Sequence, residues 1–252
     1  MKIVIRTLLA VAVVFMAYIT VKSVVTPIQF EEARIQREVK VINNLVDLRT
    51  AELQFRADKG YFTADFDSLM TYLKTAPKKE VYKVGSLSEK QLEKGLTENK
   101  AAKILEKARL RAQRKMKYQG PDSLVNIYNY IWQNDSEVKS NGLQGFRRDT
   151  ILTNMIQSLY KGKYTSENIG EMVYIPYTDN VKFELETNNK YTTSQGINVP
   201  IFEIRAHYNT YLHDLNAQER ANIIDKEEKL DHYPGLKVGS VDAPNNNAGN
   251  WE

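Results

Sequence analysis

An apolar run from Thr7 to Val21, preceded by Lys2 and Arg6 and followed by Lys22, limits what this chain can fold into more than any other feature. Extended through Ile3–Ile5 and Ser23–Val25, it covers roughly 23 residues interrupted only by Arg6 and Lys22. At ~1.5 Å per residue a helix of that length crosses a ~30 Å hydrocarbon core. Both cations fall where their stems reach headgroups. A secretory signal peptide starts the same way but ends at a small-x-small cleavage site. Here Val21-Lys22-Ser23-Val24-Val25-Thr26-Pro27 follows, without an alanine or glycine pair, and the chain has no cysteine to carry a lipid anchor. The sequence predicts a retained single-pass anchor over residues 1–27. Lys2, Arg6 and the amino terminus favour a cytoplasmic N-terminus. Lys22, Arg34, Arg37 and Lys40 argue the other way, but a short doubly basic tail crosses a membrane less readily than a large domain.

Beyond Pro27, where a kink is expected, Ile28, Ile35, Val39, Ile42, Val46 and Leu53 recur at steps of seven, four, three, four and seven. That is an a/d heptad seam with Glu32 and Arg49 at its two polar positions. The spacing predicts a stalk helix from about Ile28 to Asp58. An amphipathic helix packed on its own domain gives a similar pattern; that, or packing on neighbouring subunits, is preferred over a free coiled-coil dimer. Asp58-Lys59-Gly60 ends the helix, with glycine suited to a left-handed cap. A turn through Tyr61 and Phe62 leads to a short helix ending near Leu73. Asp65 and Asp67 read as turn-forming acids before that helix rather than as cation ligands.

The stretch Ala76–Val84 is lysine-rich, a loop or weak strand. Ser88-Glu89-Lys90-Gln91 reads as a capping box opening a helix to about Lys117, with Leu92, Leu96, Ala101, Leu105, Ala108 and Ala112 as a thin apolar stripe. Pro121 and Asp122 open another helix, with Leu124, Tyr128 and Ile131 on one face, and Leu152, Met155, Ile156 and Leu159 mark a further one. Strand periodicity begins at Met172, through Val173, Ile175 and Tyr177. It continues in Val181, Phe183 and Leu185, then in Phe202, Ile204, Ala206 and Tyr208 alternating with Glu203, Arg205 and His207. Thr178-Asp179-Asn180 and the polar stretch Asn188–Gly196 suit the turns of an antiparallel meander. Asn216 and Glu219 begin a charged helix to about Leu230, and Leu236–Val241 is the last expected strand. The expected class is α+β: an N-terminal transmembrane helix continuing into a long amphipathic helix, a helical middle segment and a C-terminal antiparallel sheet. The expected parts are an anchor (1–27), a stalk helix with its glycine-tyrosine turn (28–73), a basic helical insertion (74–120) and a globular α+β head (121–252).

Charge is concentrated. Residues 74–117 hold 14 Lys/Arg against 5 Asp/Glu, so this segment carries +9 within a chain of net +4. Lys100, Lys103, Lys107, Arg109, Arg111, Arg114 and Lys115 form a basic patch. A solvated helix face is the first reading of it, an acidic partner or lipid headgroups the second, and nucleic acid the last, because Tyr118 is the only nearby aromatic. His207, His213 and His232 are spaced by six and nineteen, which puts no two on one helical turn as a zinc helix would. His207 falls on the polar face of its strand. The chain has no nucleophile elbow, phosphate-cradling glycine loop or dinucleotide glycine pair, so no catalytic residue is assigned and no enzyme activity is expected.

The order of parts resembles type IV pilins and type II secretion pseudopilins, in which a membrane helix runs into an amphipathic helix and then a small antiparallel sheet. Ala51-Glu52-Leu53-Gln54-Phe55-Arg56-Ala57-Asp58-Lys59-Gly60-Tyr61-Phe62-Thr63, followed by Leu69, is similar to the pseudopilin pattern of a long helix closed by glycine, then tyrosine, then proline or threonine, with a leucine soon after. Gly249-Asn250-Trp251-Glu252 is similar to the asparagine-tryptophan-acid ending of some major pseudopilins. The resemblance covers about residues 7–73 and, loosely, 172–252. Residues 74–171 have no counterpart in a minimal pseudopilin. The apolar run also lacks the glycine-or-alanine-phenylalanine cleavage pattern and the glutamate of a prepilin. The resemblance implies a structural subunit of a pilus-like or secretion assembly, held in a bacterial inner membrane with its C-terminal domain in the periplasm. Its partners would be membrane lipid and other copies or subunits. No cofactor is implied beyond calcium in the C-terminal loop, where Asp242, Asn245, Asn246, Asn247 and Glu252 offer oxygen ligands.

Overall fold

The computed structural model describes residues 2–115 and 123–252, with side chains described from 7 to 114 and from 127 onward, 150 and 151 apart. The fold is α+β, with a long N-terminal apolar helix and two small antiparallel sheets. In chain order the elements are α1 (Lys2–Lys59), α2 (Phe66–Thr75), β1 (Pro77–Val84), α3 (Glu89–Glu93), α4 (Glu98–Lys115), α5 (Ser123–Asn134), α6 (Ser136–Ser140), β2 (Arg147–Asn154), α7 (Met155–Tyr160), β3 (Glu184–Thr192), β4 (Asn198–His207), α8 (Tyr208–Tyr211), α9 (Ala217–Glu228) and β5 (Gly235–Gly239). They form two compact units: residues 1–76 with 155–252, and residues 77–154.

In the first unit, α1 is a single helix that takes Pro27 in its interior. Proline has no N–H, so the Ser23 carbonyl loses its intrahelical donor there. From Thr7 the helix is long and apolar enough to cross a membrane, and none of that apolar stretch is buried; Leu8 is 70% and Phe15 61% exposed. The Thr20 hydroxyl is satisfied within the helix, donating to the Met16 carbonyl at 2.9 Å. Further on, Phe30, Val41, Leu45, Leu48, Ala51 and Phe55 are buried at helical spacing against the three-stranded sheet, α2 and α7. Gly60 closes the helix as expected, at φ +88° with its N–H on the Arg56 carbonyl.

The sheet of this unit is antiparallel in the order β3-β4-β5, with β4 central. Alternation along β4 holds through Ala206, with Phe202, Ile204 and Ala206 buried in the core, but Tyr208, read into the same strand, begins α8 after the His207 cap. On the other face Glu203 is also buried, neutralised by Arg205 and Lys237, each at 3.0 Å. The glycine-tyrosine turn docks on β3 through Asn189, whose side-chain amide accepts from Phe62 N–H and donates to Phe62 C=O, both at 2.8 Å. Phe62 then packs at a tilt against Phe202, with ring centroids 4.6 Å apart. Asp65 caps α2, accepting from Ser68 N–H at 2.9 Å, the turn role read from the sequence.

Several elements differ from expectation. Residues Ile169–Val173 form a 3-10 turn instead of a strand, and the pairing expected there is reduced to an isolated bridge between Tyr174 and Lys182. The polar stretch assigned to a turn is mostly the end of β3, which pairs through a bulge between Asn188 and Tyr191; the actual turn is centred on Gly196 at φ +76°. A polar edge strand lacks the apolar alternation that reveals a strand. Leu152 belongs to β2, and the helix it was grouped with starts at Met155.

In the second unit, β1 pairs antiparallel with β2, so the lysine-rich stretch is a strand. The helix expected from Ser88 to Lys117 is broken after α3. Gly95 takes φ +76°, a conformation that favours glycine, and α4 starts afresh at Glu98. Ala101, Leu105, Ala108 and Ala112 of α4 pack on Tyr128 and Ile131 of α5 and Val138 of α6. The insertion therefore does not end at 120: α5 and α6 share its core, and it runs on to Asn154. Tyr118, Pro121 and Asp122, and the side chains of Lys115 and Leu124, lie outside the described residues.

Candidate assembly face and basic cleft

Helix α1 is apolar on two faces. At ~100° per residue, the stripe formed by Ile28, Ile35, Val39 and Leu53 lies roughly 155° around the helix from the buried stripe. Ile28 and Val39 are each 53% exposed and Ile35 51%, large values for β-branched residues in a helix of a folded unit. Ile42 and Val46, read into the same seam, are half-buried, with Ile42 resting on the edge of the core. The exposed stripe runs without a break into Val21, Val24 and Val25 of the apolar N-terminal stretch, which are also exposed.

Polar clasps fix which face of α1 turns inward. Arg37 donates to both carboxylate oxygens of Asp214, at 2.5 and 2.7 Å, and to the Tyr211 carbonyl at 2.8 Å. The guanidinium holds the Asp214 carboxyl down at about 2. Asp47 accepts from the Tyr164 hydroxyl at 2.7 Å and from Lys163, and its backbone carbonyl accepts from Tyr160 at 3.0 Å. Burial, reinforced by Asp47, pushes both phenols up.

Arg49, one of the seam's two polar positions, reaches Glu252 at 2.6 Å and the Asn247 carbonyl at 3.2 Å. The C-terminal Gly249–Glu252 stretch is thereby tied to α1. It also extends the sheet, with Asn250 donating to the Gly235 carbonyl at 2.8 Å and accepting from Lys237 N–H at 3.0 Å. Two of the oxygens weighed for calcium are thus engaged by a guanidinium. Among the described residues no group of three or more His, Asp or Glu side chains could hold a metal ion.

The basic patch divides. Arg111 makes a paired contact with Asp135, 3.0 Å each, and reaches Glu137 at 3.0 Å. Arg109 turns to the buried Asp149 at 3.4 Å, where Arg147 at 2.5 Å and the Tyr128 hydroxyl complete the carboxylate's partners. These two arginines hold α4 to its neighbours. Lys100, Lys103, Lys107 and Arg114 make no ion pair among the described residues, and the first three share one face of α4. With Lys94 and Lys139, which sequence reading did not single out, they line a cleft. The i, i+3, i+7 spacing of Lys100, Lys103 and Lys107 was the available signal; Lys139 reaches them only through the fold.

His207 Nδ1 accepts from Asn209 N–H at 3.0 Å, capping α8, and burial pushes its pKa down. Comparison with protein-family models, with curated proteins and with solved structures finds no match to this chain.

Proposed function

We propose that this chain is a membrane-anchored structural subunit of an envelope assembly, of pilin-like architecture, and that it performs no catalysis. In this reading the apolar start of α1 spans a bacterial inner membrane once, with a cytoplasmic N-terminus and the rest of the chain in the periplasm. Lateral packing between copies, or with sister subunits, uses the face carrying Ile28, Ile35 and Val39. The observation that carries the reading is this second apolar stripe: the unit's own core leaves it uncovered, and it is continuous with an exposed apolar segment of membrane-spanning length. Burying such a stripe against another helix gains about 25 cal/mol per Å² of apolar surface, and a seven-residue repeat is the pattern that lets two helices keep one seam in register.

The test is the native size of the full chain extracted from membranes in mild detergent. Oligomers or larger assemblies are expected for the unaltered protein, and monomer for Ile35→Glu combined with Val39→Glu, with thermal unfolding of the monomer unchanged. A monomer in both cases contradicts the proposal.

A further inference from the structure

Lateral packing of α1 makes no use of the second unit's most charged feature. A cleft of about 920 Å³ opens between α3, α4 and the end of α6, lined by Lys94, Lys100, Lys103, Lys107 and Lys139 against one carboxylate, Glu137. That carboxylate is already engaged by Arg111 at 3.0 Å. Among the described residues none of the five lysines makes an ion pair, and the hydrogen bond found for this group is from Lys100 to the neutral Gly95 carbonyl at 2.9 Å.

The walls are fixed independently of the lysines. The Gln91 amide donates to the Asn141 and Gly142 carbonyls at 2.7 and 3.0 Å and accepts from Ser88 N–H at 2.7 Å, which ties α3 to the turn after α6. Arg111 ties α4 to α6 through Asp135. Packed residues Leu96, Ala101, Leu105 and Val138 support the floor. Five uncompensated ammonium groups around one concavity repel each other and raise the local concentration of anions.

The lining chemistry narrows the anion. Ammonium groups are compact point charges without the fork that grips a single carboxylate or phosphate, so this arrangement responds to the number of charges a ligand brings. None of the lining residues is aromatic, which leaves nucleobases no ring to stack on. The site is concave, and its apolar lining residues, Leu96 and Ile104, are buried or half-buried. Among the described residues Leu110 is the one large apolar side chain exposed on α4, short of the continuous apolar face that a helix lying on lipid needs beside its lysines. We propose that this cleft binds a soluble oligoanion bearing several phosphate-type charges, held by Lys94, Lys100, Lys103, Lys107 and Lys139.

Titration calorimetry of the full chain in non-ionic detergent, with inorganic tripolyphosphate as probe, tests this. Saturable binding is expected that weakens steeply as salt rises from about 50 to 200 mM. Lys103→Gln with Lys107→Gln should weaken it by about tenfold or more, and arginine at both positions should restore most of it. Lys161→Gln with Lys190→Gln, exposed lysines of the other unit, should bind like the unaltered protein. Absence of saturable binding, or equal weakening by both glutamine pairs, overturns the proposal. So does tighter binding of an oligothymidylate of matched charge, or of anionic-lipid vesicles at matched phosphate.

Discussion

Burial of Glu52 in the core face of α1 pushes its carboxyl up to about 8, because desolvation penalises the charged form and the Thr63 N–H, 3.2 Å away, only partly opposes it. Its other oxygen finds no partner among the described residues. The unfolded chain would give up this proton near 4.5, the folded chain near 8. Unfolding therefore releases a proton between those values, so this group's contribution to stability falls as pH rises through the window and levels off above it. At 1.36 kcal/mol per pH unit the full effect is roughly 3–5 kcal/mol. Melting of the unaltered protein and of Glu52→Gln at pH 5 and pH 8 checks this: the glutamine variant should lose most of the slope, and parallel slopes would refute it. Asn189 makes a second residue-scale case. Asn189→Ala leaves both backbone groups of Phe62 without their partner and should cost about 1–3 kcal/mol in denaturant unfolding. Glu52 was legible in principle, since it continues the spacing of Leu45 and Leu48 toward Phe55. Asn189 was not, because a two-bond clasp across 127 residues leaves no periodic trace.

Two stripes at the scale of one helix make opposite predictions for similar substitutions. Leu45→Ala empties a fully buried site and should destabilise by about 2–5 kcal/mol. Val39→Ala, on the opposite face, should change the stability of the isolated monomer by less than about 0.5 kcal/mol. Equal losses at the two sites would mean that the faces are misassigned. The C-terminal Gly249–Glu252 segment acts as a strap: Trp251 packs on the core, Asn250 extends the sheet edge, and Glu252 pairs with Arg49. Removing these four residues should cost about 2–4 kcal/mol, read as a lower denaturant midpoint, chiefly from the lost packing of a tryptophan. Heptad spacing picked out Ile28, Ile35, Val39 and Leu53 of α1, which are exposed, together with Ile42 and Val46, which are half-buried. Alternation picked out most of β4, because in both elements the apolar residues recur at a regular period. Gly95 splitting a helix and the polar end of β3 escaped notice. In the first a single residue overrides a continuous helical pattern, and in the second an edge strand has little to bury.

At the scale of the whole chain there are two compact units, one that contains α1 and one that interrupts it in sequence at residues 77–154. The sequence marked the insertion by its charge but stopped it short, because apolar contacts of α5 and α6 with α4 join segments whose compositions differ. Of the seven cations read as one patch, the fold commits Arg109 and Arg111 to internal ion pairs and gathers Lys100, Lys103 and Lys107 with two lysines from elsewhere. The proposed assembly depends on α1 packing against a second copy of itself through the face its core leaves open. A chain without cysteine permits a direct measurement: single cysteines at Ile28, Ile35 and Val39, and at the exposed flanking positions Gln29 and Gln36, oxidised in intact membranes. Disulfide-linked dimers concentrated at the first three positions and scarce at the flanking two are the predicted result. Adducts spread evenly over all five, or absent from Ile28, Ile35 and Val39, would contradict it.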